Sequence, residues 1–81
     1  MWYQFKQYIF SNYLTARELA TETDIKRVEA RHILDQLTQQ GLLLEIQPET
    51  YILSQDADAQ TVIQKINTEY NLSSDAIKTY F

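Results

Sequence analysis

Between Thr15 and Leu53 the chain orders its signals in a way few folds accommodate. A capping box, Thr15-x-x-Glu18, opens a short helix: the threonine hydroxyl can accept from the N–H three residues on, and Glu18 can reach back to the Thr15 N–H. Leu19 and Ala20 face inward, and the helix ends near Glu22. Thr23 and Asp24 then break it, because their side chains compete for backbone groups. A longer amphipathic helix runs from near Lys26 to Gln40, with Ala30, Ile33, Leu34 and Leu37 as its inner stripe. Gly41, the single glycine of the chain, stops it in the left-handed conformation that glycine adopts at little cost. Leu42 to Ile46 reads as a strand, Gln47-Pro48-Glu49-Thr50 as a turn and Tyr51 to Leu53 as the returning strand.

The flanks add helices. Trp2, Phe5, Tyr8, Ile9 and Tyr13 recur at three- and four-residue steps, which predicts an amphipathic helix over 1–14. Tyr3, Phe10 and Leu14 widen its apolar arc. Asp56 and Asp58 suit a helix N-terminus, and Ala59, Val62, Ile63, Ile66 and Tyr70 define the apolar face that follows. Ser73, Ser74 and Asp75 cap a last short helix carrying Ala76, Ile77, Tyr80 and Phe81. The expected fold class is therefore mostly α with a small β-hairpin. A single domain over 1–81 divides into 1–14, 15–41, 42–53 and 56–81.

The segment from Glu18 to Leu42 resembles the winged helix-turn-helix family of MarR-type and ArsR-type regulators. Glu18-Leu19-Ala20 supplies the opening of the family pattern and Thr23-Asp24-Ile25 its turn. Ala30, Leu34 and Leu37 line the second helix, and Gly41-Leu42 opens the wing. Two positions depart from that pattern. Asp24 stands where the turn usually has glycine, and aspartate tolerates the left-handed region better than most residues. Thr23 replaces a large aliphatic, which loosens the packing between the two helices. The resemblance implies a three-helix core plus wing, with additional C-terminal helices.

It also implies DNA binding, with the longer helix in the major groove. Lys26, Arg27, Val28, Arg31 and His32 occupy the outward N-terminal half of that helix. Arginine can fork onto guanine and an apolar side chain can touch the thymine methyl. Thr15 and Arg17 would lie near backbone phosphates. One helix reads few base pairs, so the expected form is a homodimeric transcriptional regulator on double-stranded DNA. Its candidate dimer surfaces are Trp2, Tyr3 and Phe10 with Ile77, Tyr80 and Phe81. This reading requires the guanidinium groups of Arg27 and Arg31 to stand clear of neighbouring carboxylates. The competing reading is that both arginines solvate an exposed face and pair with Glu29 or Asp35 at helical spacing.

Charge argues for an alternative. The net charge is −4, whereas phosphate neutralisation by Lys and Arg supplies most non-specific affinity for DNA. Lys26, Arg27 and Arg31 form the one basic cluster, while from Leu42 onward six acids face Lys65 and Lys78 only. The wing tip carries Glu49 and no base, so it would be repelled by phosphates. A winged helix that binds a protein partner, as an interaction module or accessory factor, fits this balance.

Enzymatic chemistry is not expected. One histidine, one glycine and no cysteine leave no Cys–His pair, no glycine-rich phosphate loop and no His/Cys metal set. No cofactor or metal is expected. No apolar run nears the roughly 20 residues of a membrane span, and no signal peptide is evident, so a cytoplasmic protein is the expectation.

Overall fold

The structure, a computed structural model, describes residues 12–81. Within them lies a small α+β domain with four helices and a three-stranded antiparallel sheet. The order is β1 (Leu14–Thr15), α1 (Ala16–Thr23), α2 (Arg27–Gln39), β2 (Leu43–Gln47), β3 (Thr50–Leu53), α3 (Ala59–Glu69) and a 3-10 helix (Asp75–Tyr80). The expected first helix lies largely outside the described residues, as do Trp2, Tyr3 and Phe10.

Local chemistry sets the helix boundaries. The capping box forms as written: Glu18 N–H donates to Thr15 Oγ1 at 3.2 Å and Thr15 N–H to Glu18 Oε1 at 3.0 Å. Asp24 takes the left-handed conformation at φ 57° and ψ 47°. Ile25 N–H then donates to Ala20 O at 3.1 Å, which closes the end of α1 and turns the chain sharply into α2. Gly41, at φ 83°, performs the same reversal after α2. Its N–H bonds Thr38 O, and Leu42 N–H bonds Leu37 O, both at 3.0 Å. A Cβ at Gly41 would meet nothing within 4 Å, so the backbone angle, not crowding, calls for glycine there. Thr23 spends its hydroxyl on Leu19 O at 2.6 Å instead of packing between helices. Asp58 caps α3 by accepting from Thr61 N–H at 2.8 Å.

Three expectations need correction. Leu14 is strand, not helix: it pairs with Tyr51, and Thr15 with Thr50, along the open edge of β3. The hairpin is thus the larger part of a sheet ordered β1-β3-β2. The last segment is a 3-10 helix, and Ser74 does not cap it with its side chain. Ser74 is buried, and its N–H and hydroxyl both donate to Asn67 Oδ1, at 2.9 and 2.7 Å. Ile77 is fully buried among core residues, with Tyr80 and Phe81 packed partly against them. Ile77 therefore offers no dimer surface; burying it on its own chain removes the apolar area a partner would cover.

The core joins every element. Leu14, Leu19, Ala30, Leu34, Leu37, Leu43, Tyr51, Val62 and Ile66 are fully buried. Each large apolar side chain among them stabilises the domain by about 1.5–3 kcal/mol relative to exposure. Because α2 turns this stripe inward, its opposite face is presented outward.

Candidate functional site

At 3.6 residues per turn, burying Ala30, Ile33, Leu34 and Leu37 places Val28, His32 and Asp35 on the far side of α2. Lys26, Arg27, Val28, Arg31 and His32 are all exposed, as expected, and Val28 is 71 % exposed. Arg17 is exposed on α1. Thr15 is half-buried, and its hydroxyl is committed to the Glu18 cap.

On the hairpin side of this face each arginine has a carboxylate beside it. Arg27 Nε donates to Glu49 Oε1 at 2.7 Å, and Arg31 Nε stands 3.9 Å from Asp35 Oδ2. The condition that both guanidinium groups stand clear is not met. Arg31 follows the helical spacing toward Asp35, whereas Arg27 reaches across to the β2–β3 turn and not to Glu29.

Glu49 is held by its backbone as well as its side chain. It adopts φ 63°, a conformation that costs a residue with a Cβ roughly 1 kcal/mol or more. Its N–H donates to Glu45 Oε2 at 3.1 Å, and its carbonyl accepts Ala16 N–H at 3.0 Å. The carboxylate is thereby delivered to Arg27 by the scaffold. The hydrogen bond from Arg27 holds Glu49 below the usual carboxylate range, and the same contact raises the Arg27 guanidinium. Beneath them, Tyr51 OH donates to Asp35 Oδ1 at 2.5 Å. Burial, then this bond, pushes the Tyr51 phenol well above its ordinary value.

The other flank is apolar. Ile25, Val28, Glu29, His32, Ile33, Tyr70 and Leu72 line a groove of about 350 Å³. A second, more polar cleft of about 490 Å³ lies between the hairpin turn and α1, lined by Arg17, Arg27, Pro48, Glu49 and Tyr80 among others. Tyr80 OH donates to Glu22 Oε2 at 3.1 Å.

Sequence reasoning missed Glu49 as the partner of Arg27, because 22 residues separate them and only the hairpin register brings them together. It also missed Tyr70 and Leu72 as groove walls. The apolar run through Tyr70 and Leu72, continuing past the α3 stripe, was the available signal.

Among the described residues no group of three or more His, Asp or Glu side chains is placed to hold a metal ion. No helix among them is long and apolar enough to cross a membrane. Comparison with protein-family models, curated proteins and solved structures found no match to this chain.

Proposed function

We propose that this chain is a winged-helix domain that docks a protein partner through the outward face of α2. The β1-α1-turn-α2-β2-β3 order, with β1 on the edge of β3, supports the winged-helix reading. One observation carries the docking reading: both arginines of the face already lie beside carboxylates, while Val28 stands exposed next to an apolar groove. Arg27 and Arg31 are offset locally by Glu49 and Asp35. Phosphate binding draws on uncompensated cations. An apolar centre with a charge-compensated polar rim is instead the anatomy of a protein interface.

The test is co-purification from the source cells with wild type and Val28→Glu, with and without nuclease. Docking predicts a stoichiometric protein that Val28→Glu loses, that nuclease leaves in place and that rising salt weakens little. Recovery of nuclease-sensitive material alone overturns it.

A second reading is the homodimeric regulator on double-stranded DNA. It is favoured by the exposure of Lys26, Arg27, Val28, Arg31 and His32 on one helix half, since exposed ion pairs are worth only about 0–1 kcal/mol and phosphates could exchange for them. Arg27→Ala or Arg31→Ala should then cost about 1–3 kcal/mol in specific duplex affinity.

A further inference from the structure

We infer that Glu49 is a built-in anion that occupies Arg27 and keeps the α2 face off phosphodiester backbones. An ordinary surface pair forms at the expense of side-chain freedom and gains little. Glu49 differs, because its neighbours on the chain fix where it stands. Its N–H is taken by Glu45, its carbonyl by the first residue of α1, and its backbone sits at φ 63°. The Glu49 backbone is therefore fixed beside Arg27, and the two side chains complete the pair. It lies 2.7 Å from Nε, the separation at which a phosphate oxygen would sit. Arg27 is the first residue of α2, at the positive end of the helix dipole, which is where a duplex phosphate would approach. Glu49 is also only 27 % exposed while Arg27 is 66 % exposed. The acid is thus tucked beneath the cation, and a polyanion reaching Arg27 meets a charge that Glu49 already offsets. Arg31 adds to the field that holds Glu49 ionised, and Asp35 opposes it.

This device determines which class of partner the face accepts. It rests in part on the docking reading, which cites the same Arg27–Glu49 pair, but its test is separate because the docking test turns on Val28 on the opposite flank. The experiment measures affinity for a mixed-sequence DNA duplex between about 50 and 200 mM salt. The proteins are wild type, Glu49→Gln, Arg27→Ala and the Arg27→Ala/Glu49→Gln double variant, each checked for cooperative thermal unfolding. Glu49→Gln should bind roughly 3- to 10-fold tighter than wild type at the low-salt end, with a log–log salt slope steeper by about one. The double variant should lose that gain. Glu49→Asn, neutral and at ease in the left-handed region, should reproduce the gain and serves if Glu49→Gln folds poorly.

Equal affinity and slope for wild type and both neutral variants overturns the inference, as does absence of duplex binding by all of them. A gain that persists without Arg27 also overturns it, since it would then reflect lowered net charge alone. Loss of a protein partner on Val28→Glu has no bearing on this result, so the two readings fail separately.

Discussion

The two flanks of α2 are opposite in character although they lie on one helix. The hairpin-side flank pairs its charges: Arg27 with Glu49, Arg31 beside Asp35, and Asp35 in turn anchored by Tyr51. The groove flank leaves Val28 exposed beside Ile25, Ile33, Tyr70 and Leu72. A helix face that carries a basic cluster in sequence is thus divided by what the hairpin and the α3 end bring to it. Exposure alone therefore does not make a cation available.

Four perturbations break or sharpen this contrast. The largest is Leu34→Ala, on the stripe that holds both flanks in place. It should cost about 2–5 kcal/mol in chemical denaturation. A smaller loss would mean that the flanks hold α2 more firmly than its inner face does.

Tyr51→Phe comes next and loosens only the hairpin side. Removing the donor to Asp35 should cost about 1–2 kcal/mol. Because folding raises the Tyr51 phenol above its ordinary value of 10.0, the unfolded chain gives up this proton first. Wild-type stability should therefore fall as pH rises past about 10, and Tyr51→Phe should flatten that alkaline limb. Identical limbs in the two proteins would remove Tyr51 from the network.

Val28→Glu touches the groove side alone. Val28 carries little packing, so stability should stay within about 0.5 kcal/mol of wild type, whereas partner recovery is lost. A large destabilisation would show that Val28 belongs to the core and not to a surface.

The smallest effect is acid titration of the Arg27–Glu49 pair. Folding lowers the Glu49 carboxyl below its ordinary 4.5. The stability it contributes is therefore present above that pH and lost as pH falls through the lowered folded value. Subtracting the Glu49→Gln profile from wild type should reveal a shallow acid limb, and superimposable profiles would show no linkage.

Much of this scaffold was legible in sequence because its signals are local. Thr15 and Glu18 lie within one turn of each other, Asp24 and Gly41 mark left-handed stops, and Ala30, Ile33, Leu34 and Leu37 repeat at helical spacing. What escaped was non-local or too short to show a period. Leu14 and Thr15 form a two-residue strand that exists only because β3 offers an edge. Ile77 was read as surface, yet it folds back into the core after Asn67 anchors Ser74. The candidate site was legible as a set of outward residues, and their exposure agrees with that reading. Their pairing was not legible, because Glu49 and Arg27 meet only through the folded hairpin.

The most direct test of the central claim is the affinity of wild-type protein for duplex DNA at about 150 mM salt, compared across unrelated sequences. A charge-compensated α2 face predicts binding no tighter than the 10⁻⁴–10⁻⁶ M range of non-specific contacts, with no preference among sequences. Sequence-selective binding at about 10⁻⁸ M or tighter, abolished by Arg27→Ala, would contradict it and restore the face as a reader of DNA.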